Sequence, residues 1–505
     1  MNASRSQWAL GFLFALGAAL PGRPAGETYR NPILFSDYSD PDVIRSGSDF
    51  YLVASTFSFS PGLPVLESPD LVHWTIAAHV LPTLPFGAKY DLTGGNRYGR
   101  GVWAPALREH AGRFYIFFPT PDEGIFMCSA DRPTGPWSVP VTVIAGPGYE
   151  DPCPFWDDDG QAYLIHSRTG AGPLILHHLS PDATHVLDDG RLIVSDRKAL
   201  PTLEGPKIYK QRGFYYIWAP FGGVERGSQI VLRSRSIWGP YEHRVVLSQG
   251  NTAVNGPHQG GYVEAPDGRG WFLHFQSRGA HGRIDWLEPV RWEDDWPVMG
   301  VPVMTAPMPV TLNPPCEAHP QTSDEFAESV LGQQWEWNHN PVEGAWSLTE
   351  KSGCLRLHAL PAGNLLLARN TLTQQLQAQN ETFTVRLELV GQQAGDLTGL
   401  AMFEQNASGL AVRADRAGRH LEYFHGADVI AGPAGFKDSL QLRVAVTGDI
   451  AQFSYSRDGG LTFEPLGPAT ALHFSWWKGS RPAVFNYATG GAPGGFVDLD
   501  WARIQ

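Results

Sequence analysis

One short aromatic strand recurs five times in the first 300 residues, and this repeat constrains the fold more than any other feature of the chain. Successive copies are 48 to 64 residues apart, measured between their central aromatic residues. That interval suits a four-stranded sheet with its loops, and self-similarity at such a period is typical of repeat architectures. The copies are residues 49–52, 113–116, 161–164, 214–217 and 270–273.

The surroundings of the repeated strand recur as well. A turn rich in Gly or Asp precedes each copy and would close a hairpin, and in most copies a further strand and a tryptophan follow. Each unit therefore has the strands of one propeller blade, so the repeat predicts an all-β fold that begins with a five-bladed β-propeller over residues 27–312. An irregular β-sandwich is the alternative, because sandwiches also space short strands regularly.

Acidic residues occupy equivalent positions in three of the five units. Counting back 11 or 12 residues from the central aromatic residue leads to Trp103 in the second unit and to carboxylates in three others, Asp40, Asp151 and Glu204. The fifth unit has residues 255–258 there. Since the first strand of every blade lines the propeller axis, these positions converge. We therefore expect three carboxylates to meet at the axis.

Three converging carboxylates are costly for a fold, because like charges and desolvation both favour protonation of the acids. Folding alone does not require such a group, but glycoside hydrolysis does. One carboxylic acid protonates the leaving oxygen, and a second carboxylate activates water on the opposite face of the sugar. The third can hold the acid in place and keep its pKa raised.

The same segments resemble glycoside hydrolase family 43, the inverting β-xylosidases and α-L-arabinofuranosidases. The resemblance covers nearly all of the chain after residue 26, and its motifs are specific as a set. They are YRNP at residues 29–32, SDPDVIR at 39–45, GVWAP at 101–105, YEDP at 149–152, DDDG at 157–160, LEGP at 203–206, GPH at 256–258, GR at 282–283, WNHNP at 337–341 and ARNTL at 368–372.

The resemblance implies a role for each central acid. Asp40 would be the general base, Glu204 the general acid and Asp151 the group that tunes and orients Glu204. Asp42 lies two residues beyond Asp40, and we interpret it as structural. The run at residues 157–160 is interpreted as a hairpin turn rather than a calcium site.

Four further residues match family positions around the sugar. Phe57 and Trp103 flank the glycone in the family, and Arg283 matches an arginine that donates hydrogen bonds to sugar hydroxyls. His258 matches an axial histidine that in some relatives contacts a bound calcium ion or its water. The resemblance therefore implies that no cofactor is required for the chemistry and that a structural calcium ion can lie at the axis.

Together with the converging acids, the resemblance implies an exo-acting glycoside hydrolase that releases β-D-xylose from the non-reducing ends of xylan-derived oligosaccharides with inversion. An α-L-arabinofuranosidase is the close alternative, because a few kcal/mol of transition-state binding decides between such similar sugars. A carbohydrate-binding propeller without catalysis is a candidate from a different class. A retaining enzyme that acts on fructosides, with Asp40 as its nucleophile, is a further candidate.

The pattern changes after the linker at residues 313–315. Alternating stretches at 382–390, 440–447, 451–456 and 496–504 are bounded by Gly and Asn turns. Such alternation is typical of strands with one buried face, so residues 316–505 are predicted to form a β-sandwich of jelly-roll-like form. This domain could bind sugar or cap the propeller.

The first 26 residues have the outline of a secretory signal peptide, with Arg5, an apolar run over residues 8–20 and a segment of Pro, Gly and small residues. We therefore expect a secreted or periplasmic protein. The apolar run is shorter than the roughly 20 residues that span a bilayer, so no stable membrane association is expected. The net charge of −13 and the absence of a basic run argue against a nucleic-acid partner. A neutral oligosaccharide is the expected partner instead.

The chain has four cysteines, Cys128, Cys153, Cys316 and Cys354, which are far apart in sequence. No CxxC pair or histidine at metal spacing accompanies them, so a zinc site is not expected. Oxidation in pairs would allow three connectivities, between which the sequence does not choose. We expect free, buried thiols.

Overall fold

The computed structural model describes residues 27–436 and 438–505 and consists of β-strands with three short 3-10 helices at Ala88–Asp91, Gly279–His281 and Leu365–Leu367. The predicted all-β class is confirmed. In this described part of the chain, no helix is both long and apolar enough to cross a membrane. The predicted signal segment, residues 1–26, lies outside the described residues.

The first 23 strands extend to Pro307. In chain order they are β1 (Thr28–Arg30), β2 (Asp42–Ser46), β3 (Asp49–Val53), β4 (Phe59–Ser60), β5 (Gly62–Ser68), β6 (Thr75–Leu81), β7 (Ala106–His110), β8 (Arg113–Thr120), β9 (Gly124–Ala130), β10 (Val141–Ala145), β11 (Tyr149–Trp156), β12 (Ala162–Arg168), β13 (Leu174–Leu179), β14 (Arg191–Val194), β15 (Lys207–Gln211), β16 (Phe214–Phe221), β17 (Ser228–Ser234), β18 (Glu242–Leu247), β19 (His258–Glu264), β20 (Gly270–Ser277), β21 (Arg283–Glu293), β22 (Trp296–Val298) and β23 (Thr305–Pro307).

Twenty of these strands form five four-stranded sheets, which confirms the predicted propeller. The blades are β2-β3-β5-β6, β7 to β10, β11 to β14, β15 to β18 and β19 to β22. First strands of neighbouring blades contact one another, as β2 does with β7 and β19, and β11 with β7 and β15. The first strand of each blade therefore lies next to the axis, as expected.

The repeated aromatic segment is the second strand of every blade, namely β3, β8, β12, β16 and β20. In the first blade this strand has two consecutive aromatic residues, which face opposite sides because side chains alternate across a strand. In the first blade, Phe50 packs against the fifth blade near Trp271, while Tyr51 packs against the second blade near Ile116. One aromatic pair thus fills the hydrophobic layers on both sides of its blade.

The two ends of the propeller chain are joined at the fifth blade. Strand β1 pairs with β23 in antiparallel register. The Tyr29 hydroxyl donates to the Leu287 carbonyl at 2.6 Å, and the Asn31 amide donates to the Leu287 and Val303 carbonyls at 2.9 Å. These buried bonds fix the N-terminal segment that leads into Asp40.

The later strands form two packed sheets around one large apolar core, which confirms the predicted sandwich. They are β24 (Glu336–Asn338), β25 (Trp346–Ser347), β26 (Leu355–His358), β27 (Leu360–Pro361), β28 (Thr371–Thr373), β29 (Asn380–Glu388), β30 (Asp396–Phe403), β31 (Ser408–Asp415), β32 (Gly418–His425), β33 (Asp428–Ala434), β34 (Ser439–Thr447), β35 (Ile450–Ser456), β36 (Glu464–Pro465), β37 (Thr470–Ala471), β38 (Arg481–Ala488) and β39 (Phe496–Ile504).

One strand of the propeller chain belongs to the sandwich. Strand β4, which follows the first two strands of the first blade, pairs with β24 at the edge of the nine-stranded sheet. Backbone hydrogen bonds therefore continue from one domain into the other. The two domains meet at the end of the propeller where Asp40 lies.

All four cysteines are unpaired. Cys128, Cys153 and Cys354 are buried, as expected for free thiols in hydrophobic layers. Cys316 is only half-buried, which differs from the expected burial because it lies on the segment between the two domains rather than in a strand.

Candidate active site

The backbone at the axial end of several first strands adopts the left-handed conformation. Asp40 has φ 56°, Asp151 φ 54° and Gln259 φ 53°, and Gly205, next to Glu204, has φ 55°. Register shifts follow in β11 and β19, between Glu150 and Cys153 in the first case. Such bulges redirect side chains near active sites. Here they turn the ends of the first strands toward the axis.

A pocket of about 510 Å³ opens at this end of the axis. It brings together six of the seven site residues expected from the sequence: Asp40, Asp151, Glu204, Phe57, Trp103 and Arg283. Its volume lies in the range of small-ligand sites. The lining also includes residues not expected from the sequence, among them Arg100, Glu150, Thr202, Gln259 and Trp477.

Asp40 is 5% exposed and is held by two side chains. The Arg283 guanidinium forms an ion pair with Oδ1, and the Ser55 hydroxyl donates to Oδ2 at 2.7 Å. The charged partner and the hydroxyl donor fix the direction of this buried carboxylate. This arrangement suits a base that accepts a proton from water.

Asp151 lies directly beside the Glu204 backbone. Its Oδ2 accepts a hydrogen bond from the Gly205 N–H at 2.7 Å and one from the Ser167 hydroxyl at 3.1 Å. Oxygen atoms of Asp151, Glu204 and Glu150 all lie within 4.8 Å of one another. Asp151 thus fixes the chain at Glu204 and places its own charge next to the Glu204 carboxyl.

The Glu204 carboxyl is held in its protonated form. Burial, and then the neighbouring charge of Asp151, raise its pKa to about 8, against the opposing effect of Arg283. Burial also raises the pKa of Asp151, although the hydrogen bond from Gly205 opposes the shift. A carboxyl that keeps its proton at neutral pH is suited to general acid catalysis.

Glu150 is a fourth carboxyl in the pocket and was not expected from the sequence. It is 4% exposed, and its Oε1 accepts a hydrogen bond from the Ala171 N–H at 2.9 Å. Burial, followed by the charges of Asp151 and Glu204, raises its pKa strongly. Simple alternation along β11 would point Glu150 away from Asp151, but the bulge brings both into the pocket.

Phe57 and Trp103 form an aromatic wall, with ring centroids 6.4 Å apart. Their segments pair through reciprocal backbone bonds between Phe57 and Val102. Gly101 makes this approach feasible, because a Cβ there would lie 2.2 Å from the Phe57 carbonyl oxygen. Apolar ring faces beside carboxyl groups are the usual surroundings of a bound sugar.

His258 lies behind the pocket rather than in its lining, where the bulged residue Gln259 lies instead. This differs from the expectation that His258 contacts the sugar. His258 is fully buried against Phe275, and burial lowers its pKa to about 4. Neither ring nitrogen makes a hydrogen bond of normal geometry to a described residue. A neutral imidazole of this kind fits a bound water or a hydrated cation at the axis.

The acids interpreted as structural have partners outside the pocket. Asp42 accepts hydrogen bonds from the Leu107 N–H at 2.9 Å and from Arg108 at 2.6 Å, which joins the first two blades. The run at residues 157–160 lies in the turn between β11 and β12, where Asp157 pairs with Lys210. Both interpretations agree with these contacts.

On the side of the first blade, three side chains of types that bind metal ions also lie close together. Ligand atoms of Asp70, His73 and Cys316 are within 4.8 Å of one another. The Asp70 carboxylate already accepts hydrogen bonds from the Ser68 hydroxyl, the Val72 N–H and the His73 N–H. It also contacts the His73 ring at 2.7 Å. These contacts explain Asp70 as a turn-capping residue.

The sandwich contributes to the pocket through the loop before β38. Trp477 is 44% exposed and lines the pocket, with the Arg283 guanidinium carbon 5.8 Å from the centroid of its ring. The adjacent Trp476 stacks on Tyr98 of the propeller with ring centroids 4.0 Å apart. The active-site pocket is therefore built by both domains.

Two family models match this chain. Residues 29–297 match the model of glycosyl hydrolases family 43, and residues 323–505 match that of the beta xylosidase C-terminal concanavalin A-like domain. The two matches lie on the propeller and the sandwich, respectively.

Individual relatives are similar over nearly the whole chain. A protein of Xylanibacter ruminicola with a provisional beta-xylosidase name is 42% identical over 90% of this chain and 85% of its own length. A beta-xylosidase of Formosa agariphila is 33% identical over 94% and 90%, respectively. A solved GH43 glycoside hydrolase, engineered to display endo-xylanase and exo-arabinofuranosidase activity, is 31% identical with a TM-score of 0.85, covering 95% of this chain and 100% of that chain.

Proposed function

Since the chain belongs to glycoside hydrolase family 43, we propose that this enzyme releases β-D-xylose from the non-reducing ends of xylan-derived oligosaccharides with inversion of configuration. The observation that carries the proposal is the meeting of Asp40, Asp151 and Glu204 in one pocket. The beta-xylosidase names of similar proteins support the choice of sugar.

Glu204 and Asp40 have the complementary roles of acid and base that hydrolysis needs. Glu204 keeps its proton and gives it to the departing oxygen, while Asp40, paired with Arg283, accepts a proton from the attacking water. Asp151 holds the Gly205 backbone and keeps the Glu204 proton in place by its charge. The different surroundings of these three carboxyl groups thus give them different roles.

The exo mode of action is supported by the sandwich. Trp477 lines the pocket, and the adjacent Trp476 is fixed by stacking on Tyr98, so we expect the sandwich loop to limit the passage of a long chain on that side. A pocket of this form suits a chain end better than the middle of a polymer.

The stereochemical test uses proton NMR on the first product formed from an aryl β-xyloside. The inverted anomer is expected, because Asp40 activates water and forms no bond to the sugar. Retained configuration in the initial product would contradict the base role of Asp40. It would favour a retaining enzyme in which Asp40 is the nucleophile.

An α-L-arabinofuranosidase is the second candidate, because the engineered GH43 relative is described as displaying exo-arabinofuranosidase activity. Comparison of kcat/KM on p-nitrophenyl β-D-xyloside and p-nitrophenyl α-L-arabinofuranoside decides between the two. A higher value on the xyloside is expected. A preference for the arabinofuranoside would transfer the proposal to that substrate.

We also propose that catalysis needs no cofactor and that a calcium ion at the axis is structural, held through water near His258. The buried ring of His258, whose nitrogens make no hydrogen bond of normal geometry to a described residue, supports this assignment. Treatment with a chelator should lower the melting temperature, calcium should restore it, and kcat of the folded enzyme should stay unchanged. Loss of kcat without loss of folding would contradict a purely structural ion.

Export to the periplasm or the medium is proposed from residues 1–26. Expression of the full chain in a bacterial host, followed by mass determination of the product, tests it. A mature N-terminus near residue 27 in the periplasmic fraction is expected. An uncleaved cytoplasmic product would contradict export.

A further inference from the structure

A lysine of the sandwich is buried beneath the active site. Lys478 follows Trp477 in the loop before β38 and is 2% exposed. Its ammonium group donates to the Asp37 carbonyl at 2.7 Å and to the Ser55 carbonyl at 3.3 Å, both in the propeller. It also lies 3.3 Å from the Asp37 carboxylate. All of these partners belong to the segments around Asp40.

The Asp37 carboxylate connects the sandwich loop with the segments around Asp40. Its Oδ1 accepts hydrogen bonds from the Ser39 hydroxyl at 2.8 Å and the Arg283 N–H at 2.9 Å. Its Oδ2 accepts one from the Gly479 N–H of the sandwich at 2.9 Å. One carboxylate therefore joins the segment before Asp40, the strand that begins at Arg283 and the sandwich loop.

The contact of Lys478 with Ser55 leads to Asp40 in one further step. Ser55, whose carbonyl accepts from Lys478, donates its hydroxyl to Asp40, and its N–H bonds the Ser39 carbonyl. The Lys478 ammonium also lies 5.7 Å from the centroid of the Phe57 ring, which lines the pocket.

Burial of an ammonium group at the contact between two domains costs desolvation free energy. Burial lowers the pKa of Lys478, opposed by the charge of Asp37, and well-packed apolar residues often stabilise such an interface equally well. Asp40 meanwhile has φ 56°, a conformation that non-glycine residues keep only when their surroundings enforce it. A cation that binds two carbonyls and a carboxylate supplies such enforcement.

We propose that Lys478 is a positioning residue, inserted by the sandwich beneath the pocket, which fixes the segments carrying Asp40 so that hydrolysis depends on the docked sandwich. Lys478 does not contact the sugar in this role. The inference rests on the proposed function, in which Asp40 is the general base.

The principal test replaces Lys478 by methionine, which keeps the length of the side chain and removes the ammonium group. We expect kcat to fall on the order of 10²-fold, because small misplacements of a catalytic group have effects of this size. KM should change far less. Lys478→Arg should recover part of the loss, because it keeps a cation at this position.

The pH profile separates positioning from a general loss of folded protein. The acid limb of kcat/KM for Lys478→Met should move to higher pH, because the pocket loses a cation near Asp40. A lower folded fraction would reduce kcat/KM equally at every pH. The other charged groups that influence Lys478 or lie in the same buried cluster are Asp37, Asp285, Glu336 and Arg481.

Lys351→Met is the matched control, since Lys351 is a sandwich lysine paired with Glu388 at the surface. Its kcat and pH profile should equal those of the wild type. Equal losses in the two variants would show a general effect of removing a lysine, and would overturn the inference.

A double variant, Asp37→Asn with Lys478→Met, covers the case in which the single variant folds poorly. It removes the charges of both Lys478 and Asp37, so Asp37 is not left as an unpaired buried charge, and the melting temperature should recover. Activity should stay low. Wild-type kcat in this double variant, or wild-type kcat and acid limb in a folded Lys478→Met protein, would overturn the inference.

Asp40→Ala, measured in parallel, separates this inference from the proposed function. High activity of Asp40→Ala would refute the base role itself. An inactive Asp40→Ala beside a fully active Lys478→Met would refute only the role of the lysine.

Discussion

Asp40 and Arg283, which are 243 residues apart in the chain, form a buried ion pair at the mouth of the propeller axis. Asp40 precedes the first strand of the first blade, and Arg283 begins the third strand of the fifth blade. The pair therefore forms only when the propeller is closed. Closure of the fold and formation of the site are the same structural event.

Arg283→Met should lower kcat/KM on the order of 10²-fold or more, because removing one partner of a buried pair leaves an uncompensated charge. The acid limb of the kcat/KM profile should also move to higher pH, since loss of a neighbouring cation favours a protonated carboxyl. Initial rates between pH 4 and pH 9 measure both effects. An unchanged acid limb would show that the ion pair does not control the base.

Variants of Glu204 and of Asp40 should respond differently to the leaving group of the substrate. Glu204→Ala should lose roughly 10²–10⁴-fold on xylo-oligosaccharides and much less on an aryl xyloside with a good leaving group. Asp40→Ala should lose activity on both, because water must always be activated. Asp151→Asn should fall between them and lower the alkaline limb, because its charge helps keep the Glu204 proton in place. If the leaving-group dependence appeared in Asp40→Ala instead, the roles would be reversed.

The sequence predicted those features of the site that follow from equivalent positions in the repeated blades. Asp40, Asp151 and Glu204 have equivalent positions in their blades, so fivefold geometry was enough to bring them together. Glu150 was missed because the bulge at Asp151 breaks the alternation on which strand-face predictions depend. The same kind of bulge places Gln259, rather than His258, in the pocket.

The contribution of the sandwich could not be predicted from periodicity. Trp477 and Lys478 lie in a loop more than 400 residues after Asp40, and no local pattern distinguishes them from other loop residues. The segment 337–341, recognised by resemblance alone, has a clear physical role. His339 accepts the Arg97 N–H at 2.9 Å, and Asn340 bonds the backbone of Leu84, so the segment joins the two domains.

Glu150→Gln should stabilise the enzyme at neutral pH and above. The folded state raises the pKa of Glu150 above its ordinary value of 4.5, so stability from this group is complete below pH 4.5 and is lost as pH rises. Glutamine does not titrate and can keep the bond from Ala171. The gain in melting temperature should therefore grow as the pH rises above 4.5. Exposed Glu328→Gln is the control, and a gain independent of pH would contradict the explanation.

The cysteines should differ in their reaction with a thiol reagent. Native protein should react at Cys316, which is half-buried, while Cys128, Cys153 and Cys354 should react only after unfolding. Titration with dithiobis-nitrobenzoate should give one thiol before denaturation and four after it. Fewer than four in denaturant would reveal a disulfide. Cys316→Ser, which should give none and three, identifies the reactive residue.

Deletion of residues 316–505 should give insoluble or inactive protein. The truncated chain loses the partner of β4, the Trp476 ring on Tyr98 and the Lys478 contacts beneath Asp40. It would expose an unpaired strand edge and apolar surface, and both favour aggregation. Soluble yield, melting temperature and kcat on an aryl xyloside measure the outcome. A soluble truncated propeller with full kcat would show that the sandwich is an independent module and that the propeller alone holds Asp40 in place.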